Sequence, residues 1–202
     1  MEKLSEYLVC NMFGKLINTK EQKEVYMYGM TLLITNMLGI MSILLISALF
    51  FSISEGIVFL LVFSILRIHS GGYHCKTYLN CFIVSNLIFI IVLLTSRAIT
   101  MLHIFSIAVL NCALLVSSLI LVLLYAPVIP DNHRLSNKRL MKNRKKAVVL
   151  SSGLTLVCYI CMFIGLDNTT VVQYCTLVAI TVTAVSVLML ISKIKERSSK
   201  NV

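Results

Sequence analysis

Charged residues in this chain fall in clusters separated by long apolar stretches. Residues 25–54, 77–96, 98–130, 147–166 and 168–192 contain no Asp, Glu, Lys or Arg. An α-helix rises about 1.5 Å per residue, so about 20 residues cross the roughly 30 Å hydrocarbon core of a bilayer. Each of the five runs is therefore long enough to span a membrane. A sixth run, residues 56–66 between Glu55 and Arg67, is shorter. It crosses only by recruiting flanking residues or through local thinning of the bilayer. The pattern predicts an all-α integral membrane protein with six transmembrane helices, at about 29–50, 52–68, 78–96, 104–125, 147–166 and 170–191. Residues 1–202 then form one membrane-embedded domain. Residues 1–24 mix charged and apolar positions, with Leu4, Leu8, Met12 and Leu16 on one stripe. They read as an interfacial helix or a tail, not as a cleavable signal peptide.

Composition agrees with the pattern. The chain is 58% hydrophobic and 13% charged, whereas soluble domains run about 45–50% and about 25%. The net charge of +10 would suggest nucleic acid in a soluble protein, but here its placement matters more than its sum. With six spans and a cytoplasmic N-terminus, 17 of the 18 Lys and Arg residues fall on the cytoplasmic side, and only Arg97 lies outside. Positive residues are retained on that side during insertion, so the split favours six spans with both termini inside. Without the sixth span, the N-terminal cations would lie opposite the later clusters. The densest cluster is a basic cytoplasmic loop at 131–146, carrying Arg134, Lys138, Arg139, Lys142, Arg144, Lys145 and Lys146. Its partners are anionic lipids or an acidic peptide, and no nucleic-acid partner is implied.

Chemistry concentrates where spans two and three meet, in the stretch Arg67-Ile-His-Ser-Gly-Gly-Tyr-His74-Cys-Lys-Thr-Tyr-Leu-Asn-Cys81. Polar groups beside a membrane are costly unless satisfied, and a structural connection needs only turn residues. His74 and Cys81 are the pair to examine, because a nearby imidazole can convert a thiol to the reactive thiolate. In one straight helix, residues seven apart sit about 10.5 Å apart along the axis. A catalytic contact needs roughly 3 Å, so the dyad requires irregular backbone between Arg67 and Lys76. The Gly71-Gly72 pair permits such a bend.

The arrangement Arg67-x3-Gly71-Gly72-x-His74-x6-Cys81, followed by Ser85, resembles the signature of the accessory gene regulator B (AgrB) family. Tyr125-Ala126-Pro127 followed by Asn137-Lys138 also looks like that family's later loop, and the likeness covers the whole chain. The resemblance implies a thiol protease of the Gram-positive cell membrane. Such an enzyme cleaves the C-terminal tail of an AgrD-type quorum-sensing precursor and closes a thiolactone or lactone ring. It further implies that His74 and Cys81 are catalytic. Arg67, Gly71 and Gly72 would support substrate or oxyanion, and the 131–146 cations would hold an acidic substrate tail. Cys75 departs from the small apolar residue expected there and sets a second thiol beside His74. The Gly-Gly-x-His-x6-Cys spacing favours Cys81. The partners expected are the precursor, membrane lipids and, as an open alternative, a second copy in a homodimer.

Blander readings compete at most other positions. Cys10, Cys112, Cys175 and the mid-span Cys158-x-x-Cys161 read as reduced packing residues. His69, Cys75 and Cys81 could be combined into a zinc site, but no second ligand pair encloses it; no metal or other cofactor is expected. Glu55 reads as a solvated turn rather than a coupling residue of a transporter. The competing function is a small membrane transporter or exporter component without proteolytic activity. It would place ionisable groups mid-span, where this chain offers little beyond Ser, Thr, Asn and Cys.

Overall fold

The computed structural model describes residues 2–13, 19–71, 77–127, 137–166 and 168–200. These form seven helices and, among the described residues, no β-strand. Helix α1 (Glu2–Phe13) precedes six long apolar helices: α2 (Lys20–Phe50), α3 (Ile53–Ser70), α4 (Tyr78–Thr100), α5 (Ile104–Tyr125), α6 (Asn137–Ile164) and α7 (Thr169–Lys200). All six are long and apolar enough to cross a bilayer. The chain is a multi-pass membrane protein.

The helices overrun the apolar stretches that predict them. α2 starts at Lys20, behind the N-cap Thr19, whose Oγ1 accepts the Gln22 N–H at 3.3 Å. α6 starts at Asn137, so much of the expected 131–146 loop is the opening of a helix, and α7 runs on to Lys200. Lys, Arg, Glu, Leu and Met are good helix formers, and no Gly or Pro interrupts these segments. Charge marks where the hydrocarbon begins, not where the helix does.

α7 lies at the centre and packs against α3, α4, α5 and α6, while α2 joins the bundle through α3 and α4. The core gathers Phe59, Phe63 and Leu66 of α3, Phe89 and Leu93 of α4, and Leu177 and Val182 of α7. Short polar side chains join the helices where lipid offers no hydrophobic drive. Asn111 Nδ2 donates to Thr176 Oγ1 at 2.8 Å, and Ser118 Oγ donates to Thr183 Oγ1 at 3.0 Å. α1 folds back along α2, burying Ser5 and Val9, with Lys23 Nζ 2.8 Å from Glu6 Oε1.

Contacts sort the helix ends into two groups. At one end Arg144 of α6 donates to Leu123 O at 3.2 Å, and the Tyr28 and Tyr78 rings lie 6.3 Å apart. Arg67 joins this end, and so do the first turns of α2, α4 and α6. At the opposite end lie Glu55, Arg97 and Gln173. Arg67 and Arg144, both expected on one side, thus lie at the end opposite Arg97, which was expected on the other.

Glu55 corrects the sequence reading. It is not a solvated turn but 3% exposed, at the third position of α3. Its carboxylate accepts from the Ser52 N–H at 3.1 Å, from Arg97 Nη2 at 3.1 Å and from Gln173 Nε2. Ser54 and Tyr174 hydroxyls pair alongside at 2.6 Å. The short sixth run becomes an 18-residue helix, about 27 Å long, by taking in residues 53–55 and 67–70. Buried charge is tolerated because every carboxylate lone-pair direction in use meets a donor. Of the cysteines, Cys158 and Cys175 are buried as expected and Cys161 is half-buried, but Cys10 and Cys112 are exposed. Tyr159 OH donates to Cys112 Sγ at 3.0 Å.

Candidate active site

α3 stays helical through Ser70, further than expected, and ends at Gly71. Gly71 has φ 73°, which a residue with a Cβ adopts only under strain, and its N–H caps Arg67 O at 3.1 Å. Ser70 Oγ donates to Leu66 O at 2.8 Å and tightens the same last turn. After residues 72–76, Thr77 restarts the chain as N-cap of α4, its Oγ1 accepting the Asn80 N–H at 3.3 Å. Arg67 and Cys81 therefore do not share one helix.

Cys81 occupies the first turn of α4, with its N–H bonded to Thr77 O at 3.2 Å. The thiol is free and half-buried. Arg67 reaches it from the last turn of α3, with Nη2 3.8 Å from Sγ. The guanidinium also lies over the Phe63 ring, 5.4 Å from its centroid. Two sources of positive potential thus converge on the sulfur: the guanidinium and the N-terminal end of α4.

Of the expected site residues, Arg67 and Cys81 are brought into contact, and Gly71 forms the break. Gly72, His74 and Cys75 lie outside the described residues, as does Arg134. Lys138 and Arg139 lie on the opening turn of α6. Lys142, Arg144, Lys145 and Lys146 are exposed on its next two turns. Half-buried His69, on the last turn of α3, is within electrostatic range of Lys146, so the cationic start of α6 adjoins the helix end that carries Arg67. Among the described residues, no three His, Cys, Asp or Glu side chains gather as a metal site.

Sequence reasoning missed the seam behind this contact. Glu55, Phe59, Phe63 and Arg67 recur every four residues on α3, as do Cys81, Ser85, Phe89, Leu93 and Arg97 on α4. Neighbours four apart are adjacent on a helix surface, and each such step turns by about 40°, so each set forms a ridge that winds slowly around its helix. Phe59 stacks on Phe63 at 5.1 Å and meets Phe89 of α4 at 4.9 Å between centroids. The i, i+4 spacing was the available signal.

The accessory gene regulator B profile matches residues 1–192. The chain belongs to the AgrB family. An AgrB-like protein of Clostridium perfringens strain SM101 is 29% identical over 148 residues, covering 72% of this chain and 69% of that protein. AgrB-like protein 2 of Clostridium perfringens strain 13 is 26% identical over the same shares of both chains. No solved structure matches. AgrB membership gives the chain a role in the accessory gene regulator system of quorum sensing, where the family is linked with the processing of AgrD-type peptides.

Proposed function

We propose that this AgrB-family chain is a membrane cysteine endopeptidase that cleaves the C-terminal tail from an AgrD-type precursor and promotes its cyclisation. The observation that carries the reading is the Arg67 guanidinium 3.8 Å from the Cys81 sulfur, across a break between two spans. A packing cysteine needs no cation, and a connection between two spans needs only turn residues.

In this mechanism His74 takes the Cys81 thiol proton, and the thiolate attacks the carbonyl carbon of the scissile peptide bond. Arg67, already beside the sulfur, is within reach of negative charge that develops on the attacked carbonyl oxygen. His74 then returns the proton to the departing amine, and the tail leaves. A precursor thiol or hydroxyl attacks the resulting thioester, closes the ring and restores the Cys81 thiol. Exclusion of water by the bilayer-flanked site favours ring closure over hydrolysis.

The cationic end faces the cytoplasm in this reading, by the retention of positive charge, and meets newly made precursor there. The first turns of α6 then guide an acidic tail toward Cys81. The test is co-expression with an AgrD-type precursor, with tail release read by mass. Wild type and Cys75→Ala should release the tail, whereas Cys81→Ala and His74→Ala should insert in the membrane and release none. Release by Cys81→Ala would overturn the proposal.

A further inference from the structure

α2 parts from α3 toward the end that holds Cys81. At the opposite end the two helices touch. A Cβ on Gly56 of α3 would collide with Ser47 of α2, and Ile43 and Ser47 are buried there. At 3.6 residues per turn, Asn36 points within about 20° of both Ile43 and Ser47, and Gly29 lies two turns further along the same face. Yet Asn36 and Gly29 are exposed, and a Cβ on Gly29 would meet nothing within 4 Å. The face of α2 that α3 covers at one end is uncovered at the other.

α4 closes the back of this gap. It stays beside α2, with Ser42 Oγ donating to Asn86 Oδ1 at 2.8 Å and the Tyr28 and Tyr78 rings 6.3 Å apart. Arg67 points within about 20° of Gly56 on α3 and so flanks the gap from the other side. The heights agree as well. From the Ser42–Asn86 contact toward the cationic end, Asn36 lies six residues away, about 9 Å, and Cys81 five, about 7.5 Å. Asn36, Arg67 and Cys81 thus line three sides of one cleft that opens sideways on the bilayer.

A carboxamide is costly there against lipid, which offers it neither donor nor acceptor. A peptide suits it better. Backbone N–H and C=O groups need partners at membrane depth, and one carboxamide both donates and accepts. Packed helix axes lie about 8–10 Å apart and an extended chain spans about 3.3 Å per residue. Asn36 therefore reaches backbone two or three residues from a carbonyl held at Cys81. The α6 cations lie on the other side of α3, because His69, in range of Lys146, faces about 160° away from Arg67. A tail drawn toward α6 leaves the cleft to the part of the precursor that precedes the scissile bond.

We propose that Asn36 is a substrate-binding residue, whose carboxamide pairs with precursor backbone two or three residues before the scissile bond, in a cleft between α2 and α3 entered from the membrane. This inference rests on the reading of the chain as a precursor peptidase.

In the full-length protein in membranes, p-benzoylphenylalanine is placed at exposed Leu32, one turn from Asn36, in a Cys81→Ala background. Irradiation with an AgrD-type precursor should give an adduct with one precursor, mapped by mass to residues before the scissile bond and weakened by Asn36→Leu. Adducts only with lipid or a second copy of the chain, or no adduct, would overturn the proposal. With Cys81 intact, Asn36→Leu should raise KM roughly three- to tenfold, as for one lost hydrogen bond, with kcat within about twofold. Asn36→Gln, which keeps the carboxamide, should recover most of the loss. In detergent, Asn36→Leu should not lower the Tm, since leucine takes a polar group away from the apolar surroundings. A wild-type KM, or a lower Tm, would make the amide structural and overturn the proposal. If wild type cleaves no precursor, the peptidase reading fails, while the adduct still decides what the cleft holds.

Discussion

The seam between α3 and α4 ends in two arginines that reach across to an acceptor, and the acceptors differ. At one end Arg97, partly exposed and lying over the Phe51 ring at 4.7 Å, meets the buried Glu55 carboxylate. That carboxylate also takes the Ser52 N–H and the Gln173 amide. At the other end Arg67 meets a half-buried thiol at 3.8 Å, on a weak acceptor beside a break in the chain. The first acceptor takes three donors and ties three helices together. The second pair sets a cation beside the sulfur, within reach of the negative charge that develops on an attacked carbonyl in the proposed mechanism. One geometry serves as a fastening where the acceptor is strong and enclosed, and suits catalysis where it is weak and open to a third group.

The sharpest way to break this contrast is at the sulfur, where Cys81→Ala is expected to reduce tail release to background. Arg67→Ala should follow, with kcat/KM lower by about 10²–10³, the range for losing one oxyanion donor. Arg67→Lys should recover only part, since a point charge lacks the planar fork. Steady-state kinetics on the precursor checks both. Glu55→Ala tests the fastening: the Arg97 and Gln173 donors lose their acceptor, at a cost of about 1–3 kcal/mol. Thermal unfolding in detergent should show a lower Tm, while kcat of the folded fraction stays within about twofold. A kcat loss as large as that of Arg67→Ala would mean that the two ends act as one unit. The smallest effect is expected on α6, where neutralising Arg144, Lys145 and Lys146 should raise KM a few-fold at low salt and vanish as salt screens the charge. Unchanged kinetics would assign those cations to anionic lipid instead.

Six spans and a break in the stretch from Arg67 to Cys81 were legible because each is written locally. Uncharged runs set spans, a Gly pair sets a break, and a motif sits within fifteen residues. Glu55 was misread because its partners are Arg97 and Gln173, remote in sequence and joined only by packing. A carboxylate beside a span looks solvated until the helices that cover it are in place. The start of α6 was misjudged for a different reason. Apolar runs report the thickness of the bilayer, whereas helix formation depends on backbone propensity, and Asn137–Lys146 satisfies the second without the first. The aromatic stack was visible as spacing, but Phe every fourth residue in a membrane helix usually faces lipid, so only the tertiary contact singles it out.

That early start of α6 has a consequence for how its cations are displayed. A loop would present them as a loose cloud, indifferent to small changes in length. A helix projecting about 15 Å before the apolar run instead fixes each charge at a bearing on a rod, set by a turn of about 100° per residue. Bearing is then heritable information: one residue inserted between Lys146 and Ala147 turns the whole array by more than a quarter circle relative to Arg67, with no charge gained or lost.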